Sequence, residues 1–87
     1  MCSEEQKTRV AVIAVIVENN AATDAINELL HEAGQYIIGR MGIPYREKNI
    51  NIISIAIDAP QDVISSLSGR LGRIEGVSVK TAYSNIF

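Results

Sequence analysis

Arginine set among glycines is the most chemically suggestive feature of this sequence. Gly39-Arg40-Met41-Gly42 and Ser68-Gly69-Arg70-Leu71-Gly72-Arg73 both place guanidinium groups beside positions that lack side chains. Glycine lets a ligand approach the backbone closely, and arginine offers a fork of donors to a carboxylate or phosphate. Such segments suit an anionic small molecule held at a subunit boundary. A strand bulge and a helix end with solvated arginines explain the same residues, and neither segment is a Walker or dinucleotide fingerprint. Asn19 and Asn20, at the end of the first apolar run, join Gly39, Arg40 and Gly42 as the candidate ligand-binding set. Arg40 is the expected anion clamp.

The residues that catalysis needs are sparse. A nucleophile requires a positioned base beside it, yet the chain has one histidine, His31, and one cysteine, Cys2. His31 falls near the end of a helical pattern, where the helix dipole favours it without any chemistry. No catalytic residue is assigned, and the chain reads as a non-enzyme. There is no CxxC, no HExxH and no pair of histidines, so neither a metal ligand nor a cofactor is implied. Only a symmetric assembly could gather several copies of His31. Asp24, Glu28 and Glu32 recur every four residues. Like charges at that spacing repel slightly on a helix. They form either a solvated stripe or a docking surface for a basic patch such as Arg70 and Arg73.

Composition narrows the setting. A chain of 87 residues buries only about 60–65% of the surface its unfolded form exposes, so association with a second copy is an expected source of stability. Apolar residues make up 47%, which argues for a folded chain over a disordered one. The formal charge of −2 is not a nucleic-acid footprint, and no length is spare for a helix-turn-helix. The longest apolar run, Val10 to Val17, falls far short of the ~20 residues that span a membrane. Residues 1–7 are polar and lack the pattern of a signal peptide, so a flexible tail and a cytoplasmic location are expected. Cys2 has no cysteine partner within the chain.

These residues must be positioned by a short series of elements. Arg9 to Val17 is rich in β-branched residues and reads as a central strand. Asn20 is a plausible N-cap for a helix whose inward face is Ala22, Ala25, Ile26, Leu29, Leu30 and Ala33. Gly34 stands where a left-handed cap would close it. Gln35 to Ile43 reads as a second strand interrupted by glycines, Pro44 to Asn49 as a hairpin connection, and Ile50 to Ile57 as a third strand. Pro60 opens a second helix with Val63, Ile64, Leu67 and Leu71 inward, and Gly72 can end it. Val77, Val79, Thr81 and Tyr83 alternate with Ser78, Lys80 and Ala82, as a half-exposed last strand would.

The order βαββαβ, with right-handed crossovers, gives an α+β ferredoxin-like sandwich. Four antiparallel strands carry both helices on one face, and residues 8–87 form a single domain behind the tail. Two helices can cover only one face of that sheet, yet the first and third strands are apolar on both sides. A water-facing side should alternate. The uncovered face is therefore expected to meet another chain, most simply an identical one, unless the tail or the hairpin folds over it.

The element order resembles the ACT domain and the ligand-binding domain of nickel-responsive regulators. More specifically, the string Tyr36-Ile37-Ile38-Gly39-Arg40-Met41-Gly42-Ile43-Pro44-Tyr45-Arg46-Glu47 resembles the regulator family of the iron-only hydrogenase system. So does Gly69-Arg70-Leu71-Gly72-Arg73 followed by Gly76-Val77-Ser78-Val79-Lys80. That resemblance runs from Arg9 to Lys80 and implies a regulatory role. Two features depart from the broader relatives. The loop Glu18-Asn19-Asn20-Ala21 lacks the glycine that amino-acid-binding ACT domains carry there, and His31 alone does not reproduce a nickel set. The expected protein is a homo-oligomeric module, dimer or tetramer, that senses a small anionic effector or binds a partner protein, with no direct contact to nucleic acid or membrane. The alternatives are a structural adaptor for hydrogenase-maturation proteins and a small acylphosphatase-like hydrolase. Against the hydrolase, Glu18 puts a negative charge where phosphate would be cradled.

Overall fold

Strand β1, Arg9–Val17, shows in one stretch how this chain divides its apolar residues. Ala11, Ile13, Val15 and Val17 are at most 1% exposed, whereas Val10, Val12 and Ile16 alternate with them and stay open. A strand turns successive side chains to opposite faces, so β1 feeds a core on one side only. The computed structural model describes residues 7–85. Residues 1–6, which make up most of the expected tail and include Cys2, lie outside the described residues, as do residues 86–87.

The remaining elements are α1 (Thr23–Glu32), β2 (Ile37–Tyr45), β3 (Ile50–Ala59), α2 (Gln61–Gly72) and β4 (Val77–Tyr83). The sheet has four strands in the order β2-β3-β1-β4, with every neighbouring pair antiparallel. This is the expected α+β, ferredoxin-like arrangement. The helices contribute Ile26, Leu30, Ile64, Leu67 and Leu71 to the core, against Ile13, Val15, Ile55 and Ile57 of the sheet. Fully burying each large aliphatic side chain contributes about 1.5–3 kcal/mol. Ala25, expected on the inward face of α1, is exposed, because the stripe that meets the sheet is narrower than the apolar pattern.

Several local expectations are corrected. Asn19, not Asn20, does the capping: its Oδ1 accepts from the Ala21 amide at 3.0 Å and starts a 3-10 turn over Asn20–Ala22 ahead of α1. Gly34 does not adopt a left-handed conformation. The chain leaves α1 through Ala33 and a 3-10 turn, Gly34–Tyr36, closed by the Tyr36 amide on the Ala33 carbonyl at 2.9 Å. Strand β2 therefore begins two residues later than expected and runs two residues further. The reversal into β3 is tighter, made by a 3-10 turn, Arg46–Lys48, and Asn49 at φ 57°. Pro44 is tolerated because β2 is an edge strand. The expected bulge is present: Ile37 pairs with Ile57 and Gly39 with Ala56, leaving Ile38 as the extra residue.

The second end of the sheet is held by a close backbone approach. Gly76 has φ +80°, and a Cβ there would lie 2.6 Å from the Cβ of Asn19. The Glu18 amide donates to the Gly76 carbonyl at 2.7 Å, so the loop after β1 and the start of β4 are locked together. Arg9 staples the opposite end, donating to the Ser84 carbonyl at 2.8 Å and to Gln61 at 3.2 Å, with its guanidinium 4.7 Å from the Tyr83 ring centroid.

Two glycine substitutions should separate in sign. Gly76→Ala forces a side chain into a left-handed position against Asn19, and is expected to lower unfolding stability by about 1–3 kcal/mol. Gly69→Ala, inside α2 with no atom within 4 Å of the added carbon, is expected to raise it by about 0.5–1 kcal/mol. Thermal and urea denaturation of both variants checks the pair.

Candidate functional site

Four strands are one too many for the two helices to roof completely, and the shortfall falls on edge strand β2. Residues Ile38 to Tyr45 are all exposed. The register puts Arg40, Gly42 and Pro44 opposite Ile55, Ile53 and Asn51, on the helix side of the sheet. There β2 runs out from under α1 and leaves a groove of about 280 Å³. Its floor is Gly42 and Ile53, and Val17 and Ile26 form the inner wall. Thr23 and Asn27 descend from α1, while Pro44 and Asn51 close the far end. No atom lies within 4 Å of where a Cβ on Gly42 would stand, so the glycine widens the floor.

Arg40 spans this groove. Its Nη2 donates to Asn27 Oδ1 at 3.1 Å, tying β2 to α1. An exposed arginine held by one neutral acceptor keeps most of its five donors for a ligand. Arg40 is the lining's one charged residue, beside two amides, Asn27 and Asn51, and the Thr23 hydroxyl. These groups can hydrogen-bond an anion. The lining has no carboxylate or imidazole to move a proton.

Beyond Asn51 the surface continues into a hollow of about 180 Å³ lined by Asn20, Tyr45, Arg46 and Asn49. Asn51 Nδ2 donates to Asn20 Oδ1 at 3.5 Å and forms the rim between the two. The Tyr45 hydroxyl donates to the Glu47 carboxylate, and this bond, with a little desolvation, holds the phenol above its usual 10.0.

The candidate residues thus divide. Arg40 and Gly42 meet in the groove, and Asn20 stands at its outer rim. Asn19 faces the start of β4, its Nδ2 donating to the Glu75 carbonyl at 3.5 Å. Gly39 pairs with Ala56 and so belongs to the opposite face of the sheet. Thr23, Asn27 and Asn51 were not singled out from sequence. Thr23 and Asn27 are one helical turn apart beside Ile26, which is the signal that would have found them. The second glycine–arginine segment lies within α2, where helical hydrogen bonds occupy the backbone, so it is not a loop that cradles a ligand.

A second cleft, about 330 Å³, separates the helices. Glu32 and Arg70 bridge it at 3.4 Å, each side chain about half exposed (56% and 50%), so the pair contributes roughly 0–1 kcal/mol. This bridge pairs Glu32 with Arg70 within one chain. Asp24, Glu28 and His31 are exposed on α1. Among the described residues no three His, Cys, Asp or Glu side chains form a group that could hold a metal ion, and no helix is long and apolar enough to cross a membrane.

The face away from the helices is apolar. Val10, Val12, Ile16, Met41, Ile43, Tyr45 and Ile52 lie on it, with Ile38 at the bulge, each between 39 and 65% exposed.

Known proteins place this architecture. TM1266 of Thermotoga maritima has a solved structure that superposes with a TM-score of 0.85 at 38% identity, covering 88% of this chain and 98% of that one. The ACT domain of a GTP pyrophosphokinase from Chlorobium tepidum shares the fold at TM-score 0.60 and 17% identity, over 92% of this chain and 90% of that one. A formyltetrahydrofolate deformylase from Pseudomonas putida matches at TM-score 0.64 and 13% identity, over 87% of this chain but 29% of the enzyme. The search of curated proteins gave no match. A family model for the TM1266-like iron-only hydrogenase system regulators matches residues 9–81. With that span and the 38% identity to TM1266, the chain belongs to the TM1266-like iron-only hydrogenase system regulator family.

Proposed function

We propose that this chain is a homo-oligomeric regulatory module, dimer or tetramer, that senses a small anionic effector and passes its state to a partner protein of the hydrogenase system. The module acts as one domain, in the cytoplasm, without enzymatic chemistry. The observation that carries the reading is the apolar sheet face. Eight large apolar side chains open to water on one side of one sheet are costly to leave bare and mark an interaction surface.

An identical copy is the occupant that fits. A two-fold axis places the same patch on both partners, so apolar meets apolar. Asp58 on β3 and Lys80 on β4 point to this face from opposite sides of β1, and a two-fold-related copy can set each against the other. The effector site is the Arg40 groove, with Arg40 as the clamp and Gly42 giving room. Asn20 extends the site at its rim. Asn19 and Gly39 act indirectly, one by fixing the loop after β1 and the other by allowing the bulge beside Arg40.

Native mass spectrometry of protein purified gently from its source tests both halves. The expected result is a multimer carrying extra mass that Arg40→Ala strips away while the multimer persists. A bare monomer would contradict the homo-oligomer and point to a different protein as the cover of the sheet, as in an adaptor. A multimer that never carries extra mass would remove the effector and leave the interaction surface.

A further inference from the structure

The lining of the Arg40 groove discriminates among anions, and three of its properties act together. The first is charge. Arg40 is the single charged residue in the lining, and no carboxylate accompanies it. A monoanion is matched by one guanidinium. A phosphate carries about −1.5 to −2 at neutral pH and would keep about half to one negative charge uncompensated. A zwitterionic amino acid would bring an ammonium with no counter-ion in the lining.

The second property is the wall. Val17 and Ile26 lie buried behind the groove, so its accessible apolar surface comes from the partly buried Ile53 and the exposed Pro44. Ile53 and Pro44 present an apolar surface to whatever Arg40 holds. The third is size. A groove of about 280 Å³ has room for an acid of a few carbons.

We propose that the groove binds a compact aliphatic carboxylic acid lacking an amino group, with its carboxylate forked on Arg40 and its alkyl end against Ile53 and Pro44. The assignment rests on reading this groove as the effector site and deepens that reading. Asn27 is a positioning residue: its Oδ1, 3.1 Å from Arg40 Nη2, holds the guanidinium across the groove and leaves the other donors free. Thr23 and Asn51 are placed to hydrogen-bond a hydroxyl or oxo group on the acid.

Titration of the isotope-labelled full chain with isovalerate, leucine and inorganic phosphate, followed by amide NMR shifts, tests this. Isovalerate should move the signals of Asn27, Arg40 and Gly42 saturably, with leucine and phosphate each at least about tenfold weaker. Losing the charge-assisted fork is a tenfold effect or more, so Arg40→Gln should weaken isovalerate at least about tenfold. Arg40→Lys, which keeps the charge without the fork, should fall between Arg40→Gln and wild type. Asn27→Ala should weaken it a few-fold with the shift pattern at Arg40 altered. Leucine or phosphate binding as tightly as isovalerate at the same signals would overturn the carboxylate assignment and leave the effector groove standing. Undiminished isovalerate binding by Arg40→Gln, or no shift with any of the three probes, would also overturn it. The module reading then stands or falls with the native mass of the gently purified protein.

Discussion

A four-stranded sheet with both helices on one side has one core face and one bare face, and most of this molecule follows from that constraint. The core face takes Ala11, Ile13, Val15 and Val17 of β1 with Ile55 and Ile57 of β3. The alternate residues of the same strands, Val12, Ile16 and Ile52, are also apolar and stay exposed. In a small domain with marginal stability, such a face is a strong driving force for association. The same geometry makes the groove. The two helices leave edge strand β2 exposed along the stretch that carries Arg40 and Gly42.

Much of the fold was legible because the periods are clear. The alternation in β4 gave Val77 to Tyr83 directly, and the helical spacing gave Ile26, Leu30, Ile64, Leu67 and Leu71. Turn chemistry was harder. Asn19 and Asn20 are neighbours of the same type, and only the approach of Gly76 to Asn19 decides which one caps. Gly34 has the residue type of a left-handed cap, yet the chain must turn at once into β2 and uses a 3-10 turn.

The candidate groove was legible in part for a related reason. Arginine among glycines singled out Arg40 and Gly42, which share a face because they are two residues apart on a strand. By the same rule Gly39, one residue from Arg40, belongs to the other face, and strand parity alone would have separated it. Asn27 and Asn51 reach the groove only through the docking of α1 and the register of β2 on β3. Those are long-range facts that no local pattern carries. Fold likeness is equally silent about the ligand. In this chain the loop after β1 is tied to Gly76, and the open groove lies along β2.

The central claim is that an identical chain covers the apolar sheet face, and sedimentation equilibrium of wild type beside Val12→Lys tests it most directly. Val12 lies mid-strand on that face and is 43% exposed, so lysine there should leave the fold, and its circular dichroism, unchanged. Wild type should sediment as a dimer or tetramer at micromolar concentration and Val12→Lys as a monomer. A wild type that remains monomeric, or a Val12→Lys variant that associates as tightly as wild type, would contradict the account.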